Sequence, residues 1–300
     1  MKFNIELVGI LFVDKPSGIT STIVDKVCKR AFNLSKVGHL GTLDPFASGL
    51  LPVAFNGATK LIPYIRWNDV KTYRFEIEFG KKTDTGDVTG SVIETSRNIP
   101  SAQNVENILP KFTGKIQQKP HFYSATKING KHAYELMRKG ITPEIKPKTV
   151  VVYELKLIAQ IDVKTYELEV TVSAGTYIRS LSEDIALALN TVGYTKLLRR
   201  TKIAFYDTGI SLDFIRDNKN NIDEVVSNNN FWLSVENVLD DIPVVDITDK
   251  KATDLRMGRK INWNRNNGLY LIKASNGFIN LSRCVDGCLQ PEKLIRDIGV

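Results

Sequence analysis

The sequence has little with which to bind a metal or form disulfides. Its 300 residues include three cysteines, Cys28, Cys284 and Cys288, an odd and scattered set that makes no disulfide framework. Cys284 and Cys288 are four apart, but no second cysteine pair and no nearby histidine completes a zinc site. The three histidines, His39, His121 and His132, are too few and too dispersed for a metal cluster. Free thiols in a reducing compartment are expected, and no metal. No run approaches the ~20 apolar residues of a membrane-spanning helix. The N-terminal apolar stretch, Val8 to Val13, is shorter than the core of a signal peptide and lacks a small-residue cleavage site. A cytoplasmic protein without membrane association is expected. No internal repeat is visible.

Basic residues are in excess, 41 against 33 acidic, a net charge of +8. That favours a polyanionic partner, nucleic acid before anionic membrane. Hydrophobic residues make up 42 %, enough for a sizeable core and for one large domain or two.

The stretch Gly9–Val13 reads as a buried strand ending in the turn Asp14-Lys15-Pro16-Ser17-Gly18. Ser21 can cap a helix with Ile23, Val24, Val27 and Ala31 on one face. Residues 32–50 lack a period and read as loop; Leu51–Phe55 reads as strand and Gly57–Arg66 as a short helix. In the segment Val70–Phe79, Tyr73, Phe75, Ile77 and Phe79 alternate with Thr72, Arg74, Glu76 and Glu78, the strongest strand signal in the chain. A polar loop, residues 81–87, follows. Capped helices are expected at Ser101–Leu109 and Lys131–Lys139, strands at Val150–Ile158 and Thr165–Val172. Next comes a helix opened by Ala174-Gly175-Thr176, its apolar face formed by Ile178, Leu181, Ile185 and Leu189. Residues 217–230 hold six asparagines and mark a linker. The last sixty residues return to short apolar runs with turns. Strands and helices mix without strict alternation, so the fold class is α+β, with a domain over 1–238 and a small β-rich domain over 239–300.

One stretch holds a solitary acid. Residues 38–53 read GHLGTLDPFASGLLPV, and Asp44 is the only carboxylate among them. An Asp before a proline is usually turn punctuation. Here Gly38, Gly41 and Gly49 frame it and permit close approach of a ligand. His39, five residues upstream, can stack on a base or bond a phosphate, and Pro45 fixes the chain after the acid.

These residues resemble the active-site motif of the tRNA pseudouridine synthase B (TruB) family, close to GHxG(T/A)LDPxA(S/T)G. Other family-like segments follow in order. Val13-Asp14-Lys15-Pro16-Ser17-Gly18 looks like the N-terminal lysine turn. Lys71-Thr72-Tyr73 opens the tyrosine strand, with Thr83-Asp84-Thr85-Gly86-Asp87 after it. Tyr123-Ser124-Ala125, with Lys127 and Gly130-Lys131, resembles the middle motif, and Gly175-Thr176-Tyr177-Ile178-Arg179-Ser180 the arginine motif. Leu198-Arg199-Arg200 resembles the next. The likeness covers residues 9 to about 210. It departs at Lys119-Pro120-His121-Phe122, where the family has a Pro-Pro pair.

The resemblance implies a pseudouridine-synthase-like, mixed and largely antiparallel central sheet flanked by helices and loops, with a small C-terminal PUA-like RNA-binding domain. It implies isomerisation of uridine 55 in the T loop of tRNA, after the base is flipped into the site, without cofactor or metal. Asp44 is implied as the reacting anion, Arg179 as its partner, and Tyr73 as the ring that stacks on the base. His39, Lys15 and Leu198 are implied as substrate-binding. Such chemistry needs one ionised carboxylate toward the ribose, which accounts for a single acid in the stretch. Candidate phosphate contacts are Lys127, Lys131, Arg138 and Lys139, with Lys196, Arg199, Arg200 and Lys202. The protein is expected to act on the tRNA T arm as a monomer.

Two other functions are compatible with parts of the sequence. Asp84-Thr85-Gly86 and Asp207-Thr208-Gly209 repeat the triplet of pepsin-like aspartic proteases. The first follows Lys81-Lys82 in a polar loop that suits a solvent-facing turn, and such proteases are usually secreted, disulfide-bonded and acidic. A catalytically silent RNA-binding module would share the basic balance but give no reason for Asp44 and Arg179.

Overall fold

The computed structural model describes residues 7–123, 127–128, 130–138, 140–141, 143–219, 225 and 231–297, without the side chains at 127, 128, 131, 132, 134, 135 and 138. Ser124, Ala125 and Lys139 thus lie outside the described residues, as do the side chains of Lys127, Lys131 and Arg138. By internal contacts the chain forms two compact units. One holds residues 1–43, 50–67 and 208–300, the other 44–49 and 68–207.

The first unit begins with β1 (Gly9–Lys15), the buried apolar run expected from the sequence, extended to the lysine. Then comes α1 (Ser21–Ala31), and its cap is Thr20 rather than Ser21: Thr20 Oγ1 accepts the Ile23 N–H at 3.3 Å. Ser21 turns inward instead, donating to the Leu43 carbonyl at 3.1 Å and accepting the Leu43 N–H at 3.0 Å. Within the stretch read as loop, β2 (Val37–His39) pairs antiparallel with the latter part of β3 (Ser48–Phe55), placing His39 opposite Val53. In place of the helix expected over Gly57–Arg66 there are short 3₁₀ turns at Asn56–Lys60 and Ile62–Tyr64.

The second unit is built on β4 (Val70–Phe79), whose alternation turned out as read: Tyr73, Phe75, Ile77 and Phe79 are all buried. The hairpin of β5 (Lys81–Thr83) and β6 (Val92–Thr95) occupies the start of the supposed polar loop. Next are α2 (Ala102–Ile108), β7 (Gly114–Gln118), the hairpin of β8 (Lys127–Ile128) and β9 (Lys131–His132), and α3 (Ala133–Arg138). β10 (Lys148–Gln160), β11 (Thr165–Ser173), α4 (Ile178–Ala188) and β12 (Gly193–Ile203) complete it. The strands lie in the order β12-β4-β11-β10-β7, every neighbour antiparallel. Ser48 and Gly49 of β3 run parallel beside Arg199 and Arg200. The largely antiparallel sheet and the α+β mixture expected from the sequence are both present.

Strand β12 corrects one expectation. Successive strand residues face opposite sides, so of the run Leu198-Arg199-Arg200 only Arg199 is exposed, while Arg200 is 1 % exposed and does not meet solvent phosphate. Lys196 lies near Glu78 and Asp162, at 3.5 and 3.8 Å.

The chain then returns to the first unit with β13 (Ile210–Ser211), α5 (Leu212–Asp217) and β14 (Trp232–Ser234). β13 pairs parallel and β14 antiparallel with β1. β15 (Val244–Asp246), α6 (Asp249–Arg256), β16 (Ile261–Asn262), β17 (Gly268–Lys273), β18 (Ile279–Val285) and β19 (Cys288–Arg296) follow. They form a five-stranded sheet ordered β15-β17-β18-β19-β16. Its core includes Leu255, Trp263, Tyr270, Ile272, Phe278 and Leu289. This segment is stitched to earlier residues of its unit: Lys60 Nζ donates to the Leu294 carbonyl at 2.5 Å, and Trp67 Nε1 to that of Val238 at 2.9 Å. Among the described residues no helix is long and apolar enough to cross a membrane.

Candidate active site

Asp44 sits in a tight turn. The Ala47 N–H donates to the Asp44 carbonyl at 3.1 Å, with Pro45 at the second position, where its fixed φ suits such a turn. Phe46 and Ala47 are buried and anchor it. Gly49 then adopts φ +104°, and a Cβ there would overlap the Arg200 backbone. Glycine is needed where β3 meets β12.

The Asp44 carboxylate meets Arg179, in the first turn of α4. Arg179 Nε lies 2.9 Å from Asp44 Oδ2, although the Nε–H is not aimed at a hydrogen-bond acceptor. The contact is an ion pair rather than an aligned hydrogen bond. The aligned donors go elsewhere: Nη1 to the Thr85 carbonyl at 2.8 Å and Nη2 to the Tyr123 carbonyl at 2.9 Å. A second carboxylate, Asp87 Oδ2, stands 3.4 Å from Nη1. Asp87 Oδ1 is occupied, accepting from Thr85 Oγ1 at 2.9 Å, the Thr89 N–H at 3.0 Å and Thr89 Oγ1 at 2.6 Å. One guanidinium thus serves two carboxylates and two carbonyls. The Arg179 and Asp87 side chains are 4 % and 6 % exposed, that of Asp44 35 %. The cluster is a buried scaffold presenting one accessible anion. A cation in the first turn of a helix is disfavoured by only ~0.3–1 kcal/mol, less than the loss from stranding a buried charge, ~3–5 kcal/mol.

Asp87 is not singled out by the sequence. It sits in the quoted run Thr83–Asp87, but polar composition suggested a solvent-facing turn. In the fold that turn is pinned to β12: the Thr195 N–H donates to the Gly86 carbonyl at 3.0 Å and the Val88 N–H to the Thr195 carbonyl at 3.1 Å. Asp84, of the first Asp-Thr-Gly triplet, accepts the Ser91 N–H at 2.9 Å and closes its own hairpin.

Behind the arginine lies His121. Burial, then the charge of Arg179, push its pKa down to about 4, so the ring is neutral near pH 7. Its Nδ1 accepts the Tyr123 N–H at 3.2 Å, and Nε2 faces Glu183 Oε1 at 3.9 Å. Burial raises the Glu183 pKa.

Tyr73 is buried on β4, opposite Arg200 on β12 and Val170 on β11. Leu198 lies opposite Phe75, two residues along the same strand pair, and so shares the face of Tyr73. Lys71, on that face, is buried; burial and the Arg200 charge push its pKa down to about 8.

The other two candidates belong to the first unit. Lys15 is 0 % exposed, and its Nζ donates to the carbonyls of Pro16 at 3.0 Å and Ile19 at 2.7 Å. His39 Nδ1 lies 2.7 Å from Asp25 Oδ2, and Nε2 lies 3.3 Å from Thr42 Oγ1.

A family model described as TruB family pseudouridylate synthase (N terminal domain) matches residues 29–178. The chain is 40 % identical over 255 residues to a tRNA pseudouridine synthase B of Caulobacter sp. (strain K31), covering 84 % of this chain and 81 % of that one. It is 38 % identical over 300 residues to that of Gluconacetobacter diazotrophicus, covering 96 % and 97 %. Among solved structures, a chain of a Cbf5–Nop10–Gar1 complex matches with TM-score 0.66 and 23 % identity, over 98 % of this chain and 86 % of that one. At that identity the likeness speaks for the fold.

Proposed function

The chain belongs to the TruB family of pseudouridylate synthases and is an isomerase acting on tRNA, and from that premise we propose that it acts on uridine 55 of the T loop, with Asp44 as the anion that acts on the ribose. The observation that carries this reading is the Asp44 carboxylate, about a third exposed and 2.9 Å from a buried guanidinium.

The reaction conserves every atom. The N1–C1′ bond breaks, the uracil turns over, C5 bonds to C1′, and the C5 proton is replaced at N1. No electrons are gained or lost overall, so the balance calls for no redox cofactor. A carboxylate entering a closed pocket is pushed toward its neutral form by desolvation; an adjacent cation opposes this. Arg179 fills that role, and its own hydrogen bonds to two carbonyls keep it in place.

The target base must leave its stack before Asp44 can reach the ribose. Tyr73 is the ring that stacks on it, with the phenol hydroxyl available for the C5 proton. His39 packs against the extruded nucleotide or takes its place; Leu198 and the buried Lys15, which braces the turn at Pro16 and Ile19, shape the substrate pocket. Exposed Arg199 and Lys202 on β12 contact phosphates of the T arm, and residues 239–300 form a second RNA-binding module. The protein works as a cytoplasmic monomer.

Purified protein incubated with a tRNA transcript should form pseudouridine at position 55 alone. A transcript carrying cytidine there should yield none. Pseudouridine at another position, or undiminished yield from the cytidine transcript, would contradict the assignment.

A further inference from the structure

Asp25 is a charged residue on α1 that the chemistry above leaves unused. Its Oδ2 lies 2.7 Å from His39 Nδ1, with side chains 17 % and 18 % exposed. Its other oxygen, Oδ1, is buried with no hydrogen-bond partner among the described residues. A buried unpaired carboxylate oxygen is costly. The neighbouring inward positions of the helix, Val24, Cys28 and Ala31, are uncharged. Helix packing alone gives no reason for a carboxylate at this position.

The pairing with His39 gives one. An ionised carboxylate only accepts, so His39 Nδ1 must carry the proton. In the neutral ring Nε2 is then an acceptor, and the Thr42 hydroxyl, 3.3 Å away, is its donor. Asp25 and Thr42 together fix the tautomer and the plane of the imidazole. The anchor is itself held: Thr20 caps α1, and Ser21 exchanges two hydrogen bonds with Leu43, the residue after Thr42. A ring locked before binding has less freedom to lose on meeting its ligand.

We propose that Asp25 is a positioning residue for tRNA pseudouridine formation, holding the His39 imidazole in one tautomer and one orientation for contact with the RNA. This rests on the reading of His39 as a nucleotide-contacting ring.

The chain has three histidines, so a ¹⁵N-imidazole spectrum of the full protein contains three rings to assign. Wild type should show His39 protonated at Nδ1. Asp25→Asn should keep that signature, because the amide oxygen accepts the same N–H. Asp25→Leu should lose it and raise the KM for tRNA about tenfold with kcat little changed, the size expected for one charge-assisted hydrogen bond. His39→Ala should raise KM at least as much. A wild-type KM in Asp25→Leu beside an impaired His39→Ala would overturn this inference and leave the role of His39 intact. A wild-type His39→Ala would remove both. An Nε2-protonated His39 in the wild-type spectrum would overturn the proposal without any variant.

Discussion

Arg179 touches its two carboxylates differently: Asp44 through an unaligned Nε, Asp87 through an Nη that also donates to the Thr85 carbonyl. The buried Asp87 holds the guanidinium from one side, while the side chain of Asp44 is 35 % exposed. His121 belongs to the same scaffold, since it accepts the N–H of Tyr123, whose carbonyl accepts Arg179 Nη2. Its titration has a definite sign. An unfolded histidine titrates near ~6.5, whereas the folded one is pushed down to about 4. Between those values the unfolded chain binds a proton that the folded protein refuses, so stability falls as pH drops from ~6.5 toward 4, by up to roughly 3 kcal/mol. Denaturant titrations from pH 7 to 4.5 should show His121→Phe losing less stability than wild type over that range. Equal slopes would mean that His121 takes up its proton in the fold as readily as outside it. At this scale Asp44 and Arg179 were legible because motifs mark them. Asp87 was not: Thr-Asp-Thr-Gly-Asp reads as solvated turn until β12, a hundred residues later in sequence, closes over it. The departure at His121 was visible in the sequence, but its burial was not.

Among the elements, those with a sustained period were readable. The alternation of β4 and the spacing Ile178, Leu181, Ile185 on α4 match the buried residues, although Leu189 falls just past the helix end. On α1 the expected face was half right: Val24 and Ala31 are buried, while Cys28 takes the inward place and Ile23 is exposed. Strands of three residues such as β2 and β5 carry too few side chains to show a period. The close approach of β3 to β12 was hinted at by Gly49 and requires it. Gly49→Ala would force a left-handed backbone on a side chain that also overlaps the Arg200 main chain. A loss of ~2–4 kcal/mol in urea unfolding is expected, together with reduced turnover as the Asp44 turn shifts. A variant as stable as wild type would show that the strands separate there at little cost.

On the scale of the molecule, the fold class followed from the mixture of elements and the family from ordered motifs. The grouping of residues 208–300 with the first 43 did not, because contacts such as Lys60 to Leu294 join segments more than two hundred residues apart and leave no local trace. The net charge of +8 bears on binding rather than on fold. Neutralising phosphates releases counterions, so log affinity for tRNA should fall linearly with log salt concentration. Filter binding from low to moderate salt reads this directly, and a flat line would mean that the basic surface plays no part.

The account turns on one accessible carboxylate, and replacing it with its neutral isostere tests that most directly. Single-turnover assays with Asp44→Asn should show tRNA bound within about threefold of wild type, a difference of less than ~1 kcal/mol, and no pseudouridine formed. Pseudouridine appearing at the wild-type rate in that variant would contradict the central claim.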